Sequence, residues 1–105
     1  MKYCVYVLIS NCKNKTISYV GYTKNIKNRL SLHNISRGAK FTKGRKWIVL
    51  HKEIYDSKSK AMSREYKLKK DRNFRNHLKE KFMKKNNSLL YWQKLYYENF
   101  NFITI

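Results

Sequence analysis

From Tyr3 to Ile9 apolar and polar positions alternate weakly in a stretch rich in Val, Tyr and Ile, which predicts a first strand. Residues 11–15 (Asn-Cys-Lys-Asn-Lys) are polar and turn-like, and Thr16 to Tyr22 is strand-like again, so the two segments are expected to form a hairpin. Thr23 is placed to cap a following helix through about Ile35, with Ile26, Leu30 and Leu32 on its apolar side. Ser36 to Lys46 holds Gly38, Gly44 and five Lys or Arg, and reads as a flexible basic loop. Trp47 to Ile54 is the third expected strand. Asp56 or Ser57 then caps a helix through Lys70, with Ala61, Met62, Glu65 and Leu68 on its inner face. Phe74, Leu78 and Phe82 mark a last helix from Asp71 to about Lys84.

The order β-β-α-β-α-α predicts an α+β fold, with a three-stranded, mainly antiparallel sheet flanked by helices. Residues 1–85 form one expected domain, and residues 86–105 a neutral C-terminal extension. That extension carries Tyr91, Trp92, Tyr96, Tyr97, Phe100 and Phe102, and is expected either to pack on the domain or to mediate self-association. The protein is accordingly expected to be a monomer, or a homodimer through this segment.

At 105 residues the chain has room for one modest core, so any activity must sit on it. The basic, apolar N-terminus is too short and too interrupted to read as a signal peptide, and no apolar run approaches membrane-spanning length. An intracellular location is expected: cytoplasmic in a bacterium, nuclear or cytoplasmic in a eukaryotic or viral setting. Cys4 and Cys12 are too few for a disulfide framework or a thiolate zinc site, and Cys4 reads as a small buried hydrophobe. The net charge of +19 is extreme for this length and calls for a polyanionic partner. It is concentrated in residues 1–85, which hold 24 Lys and Arg against 5 acids, while residues 86–105 hold one of each. Compositional bias explains abundant Lys but not scarce acids, so nucleic acid is the expected partner, bound mainly through phosphates. Lys40, Lys43, Arg45, Lys46, Arg64 and Lys69 are the candidate contacts.

Phosphodiester cleavage needs an activated nucleophile, a proton acceptor and positive charge at the phosphate. Tyr6 and Tyr19, on neighbouring strands, are candidates to accept or relay a proton, although a free phenol titrates near 10. Arg29 offers a planar fork of donors suited to phosphate, and His33, four residues on, shares its helix face. Glu65 is anomalous on an apolar stripe and is a candidate ligand for a divalent ion, unless it merely pairs with Lys69.

Cys4-Val5-Tyr6 and Tyr19-Val20-Gly21, followed in order by Arg29, His33 and Glu65, resemble the motifs of the GIY-YIG nuclease family. Residues 30–34 (Leu-Ser-Leu-His-Asn), 38–42 (Gly-Ala-Lys-Phe-Thr) and 44–45 (Gly-Arg) further resemble its small stand-alone branch, which is similar to the nuclease domain of structure-specific endonucleases. The likeness spans roughly residues 3–80. Cys4 replaces the first motif's glycine, Val20 replaces isoleucine, and Tyr22 stands where the excision-repair branch has lysine.

The resemblance implies hydrolysis dependent on one divalent cation, Mg2+ or Mn2+, held by Glu65, with 5'-phosphate and 3'-hydroxyl products. It implies Tyr6 and Tyr19 beside the attacking water, one of them as general base, Arg29 at the transition state, and His33 supporting nucleophile or phosphate. Asn73 and Asn76 both match a supporting asparagine. The expected activity is a DNA endonuclease with weak sequence specificity and a preference for branched or distorted DNA, in repair, recombination or mobile-element settings. The alternatives are a basic nucleic-acid-binding module whose catalysis has lapsed and a structural RNA-associated protein.

Overall fold

The computed structural model describes residues 2–12 and 15–85. Strand β1 (Tyr3–Cys12) and strand β2 (Lys15–Thr23) form the expected hairpin, followed by helix α1 (Ile26–Asn34), a 3-10 turn (Lys40–Thr42), strand β3 (Ile48–Tyr55), and helices α2 (Lys58–Lys70) and α3 (Arg72–Lys85). The sheet is fully antiparallel in the order β2-β1-β3. This is the α+β plan that the hydrophobic pattern predicts.

Strand β1 is central and covered on both faces, so every residue from Cys4 to Ile9 is buried and the alternation of its sequence is weak. Cys4, Tyr6 and Leu8 pack with Leu30 of α1 and with Trp47 on one face. Val5 and Val7 pack with Val20, Ala61 and Leu68, and Phe74 and Leu78 of α3 close over that second face. Ile9 and Ile48 extend this layer, with Phe82 against them. Burying each of these aliphatic side chains contributes on the order of 1.5–3 kcal/mol, which offsets the repulsion within a very basic chain. A one-residue irregularity between β1 and β3 at Val7/Leu8 lets β3 bend around the core.

Three local expectations need correction, and one open alternative is resolved. Thr23 does not cap α1: it is the last residue of β2, and its hydroxyl accepts from the Asn25 N–H at 3.2 Å. Asn25 is the cap, its Oδ1 accepting from the Asn28 N–H at 3.1 Å. Asn25→Ala is therefore expected to cost about 1 kcal/mol in denaturant unfolding, with the corresponding Thr23 change smaller. Ser57, not Asp56, caps α2. Asp56 instead pairs with Lys60 on the surface.

Met62 is 48% exposed and lies off the inner face, whereas Ala61 and Leu68 are fully buried. The segment 36–46 is anchored rather than loose. Thr42 is fully buried, its carbonyl accepts from the Trp47 indole N–H at 3.0 Å, and the Asn34 amide bonds both the N–H and the carbonyl of Trp47. These partners lie too far apart in sequence for a local pattern to reveal them. Residues 86–105, with their aromatic cluster, lie outside the described residues.

Candidate active site

The centre of the site is a buried polar chain within an apolar face. Tyr6 projects from β1 and His33 from the last turn of α1, and neither exposes more than 1% of its surface. The Tyr6 hydroxyl lies 2.9 Å from His33 Nε2, and His33 Nδ1 lies 2.8 Å from Thr42 Oγ1. Leu30 on the same helix packs beside Tyr6 in this core, which draws the His33 face of α1 inward. His33 is thus a core residue with both ring nitrogens engaged, not part of a solvated helix surface.

Two glycines make room for this chain. Gly21 pairs with Tyr6 across the hairpin, and a Cβ there would stand 2.5 Å from the Tyr6 hydroxyl oxygen. A Cβ on Gly38 would collide with His33 Nδ1.

Around the chain stand the other expected residues. Arg29 is half-buried one helical turn before His33, close enough for its charge to act on both Tyr6 and His33. The half-buried Tyr19 ring has its centroid 5.2 Å from His33 and 6.5 Å from Tyr6. Its other side is stacked by Phe41, which is 58% exposed at a centroid distance of 6.0 Å. Glu65 is close enough for its charge to be felt at Tyr6, and its carboxylate is 19% exposed. It also makes the local pair with Lys69, Nζ to Oε1 at 3.2 Å. The two readings of Glu65 are therefore compatible: its charge is felt at Tyr6, and its ion-pair partner is a 53% exposed lysine.

Burial sets the ionisation of the central pair. It pushes the Tyr6 phenol up to about 12 against the opposing Arg29 hydrogen bond, and it holds the His33 imidazole down at about 4, with the Arg29 charge adding to the effect. At neutral pH both groups are uncharged. Cys4, whose thiol is raised by burial, is an unreactive packing residue, as its sequence context suggests.

The basic candidates divide into two groups. Lys40 and Lys43 are exposed at the two ends of the 3-10 turn, and Lys46 is exposed beside the Asn34 carbonyl. Arg45 is half-buried, with Nη1 buried and lacking a hydrogen-bond partner among the described residues. Lys69 is held by Glu65. Arg64 grips Glu53 with both Nε (2.8 Å) and Nη2 (3.1 Å), so its charge is already spent within the fold. Asn73 and Asn76 are both exposed on α3, and both remain candidates for the supporting asparagine.

Glu53 also accepts from His51 and Tyr55, and the Arg64 bond, as the largest influence, holds its carboxyl down at about 2. Both His33 and Glu53 bind protons more weakly in the folded chain than in the unfolded one, so both withdraw stability on acidification. The His33 contribution is present above pH 6.5 and is lost as pH falls towards 4; the Glu53 contribution is present above pH 4.5 and is lost towards 2. In denaturant titrations across pH, Glu53→Gln is expected to lower stability at neutral pH. The gap to the wild type should narrow only below pH 4.5.

Sequence reasoning missed Thr42, Phe41, Trp47 and the steric role of Gly21 and Gly38. Gly21 had a usable signal, a glycine directly opposite a strand tyrosine. Thr42 had only the resemblance of residues 38–42 to the small stand-alone branch, which gave its hydroxyl no role.

The chain is similar to several known proteins. The GIY-YIG catalytic domain model matches residues 2–79. A UPF0213 protein of Staphylococcus haemolyticus is 48% identical over 65 residues, covering 61% of this chain and 78% of that protein. A UPF0213 protein of the archaeon Natronomonas pharaonis is 45% identical over 65 residues, covering 61% and 75%. The solution NMR structure of a UPF0213 protein from Bacillus halodurans is 34% identical, covers 74% of this chain and 82% of its own, and superposes with a TM-score of 0.43. With the catalytic-domain match taking in both tyrosine strings, Arg29, His33 and Glu65, the chain belongs to the GIY-YIG catalytic domain family.

Proposed function

We propose that this protein is a metal-dependent DNA endonuclease that hydrolyses phosphodiester bonds, reads the backbone rather than the base sequence, and prefers branched or distorted DNA. The observation that carries the reading is the buried Tyr6–His33 pair, with Tyr19 beside it and the Arg29 charge close enough to act on both. A binding module needs no such pair, because phosphates are held adequately by surface lysines.

The two tyrosines take different roles. The Tyr6 hydroxyl is buried and bonded to His33, so Tyr6 orients the site. Tyr19, half-buried and nearer to solvent, stands beside the attacking water as the candidate general base. Arg29 sets its fork of donors against the equatorial phosphate oxygens. Lys40, Lys43, Arg45 and Lys46 hold the flanking backbone.

Among the described residues no three His, Cys, Asp or Glu side chains converge to cage a metal. That fits Mg2+ or Mn2+, which commonly bind through one carboxylate together with waters and substrate phosphate. Glu65, part-buried with its charge felt at Tyr6 and paired with an exposed lysine, is the residue that would hold the ion. The bound cation supplies Lewis-acid stabilisation of the charge on the phosphate.

Plasmid, linear duplex and branched DNA incubated with Mg2+ or Mn2+ should be cut, with 5'-phosphate and 3'-hydroxyl ends. Branched DNA should be cut fastest, and a chelator should stop the reaction. Tight, salt-sensitive binding without cleavage in either metal would instead identify a lapsed nuclease. Preference for RNA in direct competition would move the substrate class. Self-association through residues 86–105 is proposed from sequence alone, and solution mass across concentration tests it.

A further inference from the structure

We propose that Thr42 is a positioning residue that holds His33 in the Nδ1–H tautomer, leaving Nε2 as the acceptor for the Tyr6 hydroxyl proton. The proposal rests on the nuclease reading only for its consequence in catalysis; the tautomer follows from the buried hydrogen bonds alone.

A threonine hydroxyl has one proton. In Thr42 that proton goes to the Ala39 carbonyl at 3.0 Å, while the same oxygen accepts from the Ala39 N–H at 3.2 Å. With that proton on Ala39, the remaining lone pair faces His33 Nδ1 at 2.8 Å and the imidazole is the donor there. Nδ1 therefore carries the hydrogen, and a neutral ring leaves Nε2 with a lone pair.

The other end of the chain accommodates the same assignment: the Tyr6 hydroxyl donates its proton to His33 Nε2 at 2.9 Å and keeps its lone pairs for the nearby Arg29 charge. The opposite tautomer would turn the Thr42 hydroxyl proton from the Ala39 carbonyl to Nδ1 and put the Nε2 hydrogen on the Tyr6 oxygen, so that the buried Tyr6 proton would need another acceptor. The position of Thr42 is itself fixed by the Trp47 indole on its carbonyl.

The consequence is that Tyr6 presents oxygen lone pairs, not its proton, towards Arg29 and the space where substrate binds. Thr42 touches neither substrate nor reacting atoms, and acts through the ring it orients. Removal of such a supporting partner typically costs about 10- to 100-fold in activity.

The test is 15N NMR of the imidazole side chains, with His33 assigned by substitution and read near neutral pH in the full-length protein. Wild type should show a protonated Nδ1 and an unprotonated Nε2; the reverse pattern overturns the proposal without reference to any variant or to cleavage. Thr42→Val, which keeps the shape and removes the hydroxyl, should shift His33 towards the Nε2–H form. It should also lower kcat by about 10- to 100-fold with KM little changed, and Thr42→Ser should restore both. A Thr42→Val protein that keeps the Nδ1–H pattern, or that changes tautomer with kcat unchanged, overturns it. Should Thr42→Val not fold, the wild-type spectrum decides alone. A wild type that shows the expected tautomer yet never cuts DNA under any metal refutes the nuclease reading and leaves the tautomer standing.

Discussion

Replacing Arg29 with methionine should lower the single-turnover cleavage rate by on the order of 1,000-fold, while DNA binding at moderate salt weakens only a few-fold. Arg29 has two tasks that methionine cannot perform. Its charge opposes the burial that holds the Tyr6 phenol at about 12, and in the proposed mechanism its donors meet the charge that accumulates on the phosphate. Binding, by contrast, is shared among 25 Lys and Arg, so one lost cation removes only about one unit from the dependence of log affinity on log salt. Arg29→Lys keeps the charge but loses the planar fork, and should recover only part of the rate. Parallel measurement of cleavage and of salt-dependent binding separates the two tasks. Equal losses in rate and affinity would reduce Arg29 to one more phosphate contact.

Gly21→Ala should cost about 100-fold or more in cleavage and about 1–3 kcal/mol in stability, although it adds a single methyl group. The new Cβ would lie 2.5 Å from the Tyr6 oxygen and 2.7 Å from Cζ, inside contact distance. A flexible surface side chain would step aside. Tyr6 has nowhere to go: it is 1% exposed, its hydroxyl is tied to His33, and its ring is packed among Cys4, Leu8, Leu30 and Trp47. Relief therefore comes either by opening the β1–β2 pairing or by moving the hydroxyl off His33, and both dismantle the site. Thermal unfolding by circular dichroism together with kcat would register both losses. A Gly21→Ala protein with wild-type kcat would show that the Tyr6 position does not matter to the reaction.

These effects also show where sequence is informative and where it is silent. Strands and helices were legible because β-branched runs and the spacing of Phe74, Leu78 and Phe82 are local signals, and local periodicity decides which face is buried. Tyr6, Tyr19, Arg29, His33 and Glu65 were legible as a set because their order resembles a known nuclease pattern, and the first four do converge. Their burial was not legible. An imidazole in a lysine-rich helix reads as solvated, and only the closing of Tyr6, Tyr19, Thr42 and Gly38 around it makes it a core residue.

Helix capping was misread because Thr23 and Asn25 both have suitable side chains, and the winner is decided by where β2 stops pairing, a tertiary fact. Arg64 looked like any other cation on a basic helix. Its partner Glu53 lies eleven residues away on β3, and only the docking of α2 on the sheet brings them together. The same holds for Thr42, whose hydroxyl becomes meaningful only once segment 36–46 is pinned beneath Trp47.

The most direct test pairs the wild type with Glu65→Gln, purified identically and incubated with one labelled branched DNA in Mg2+. Glutamine keeps the size and polarity of the side chain while removing the charge that would hold the cation. Wild type should cut the DNA, and Glu65→Gln should bind it as well or better while cutting at least about 1,000-fold more slowly. Equal cleavage by the two proteins would contradict a nuclease centred on Tyr6, Tyr19, Arg29, His33 and Glu65.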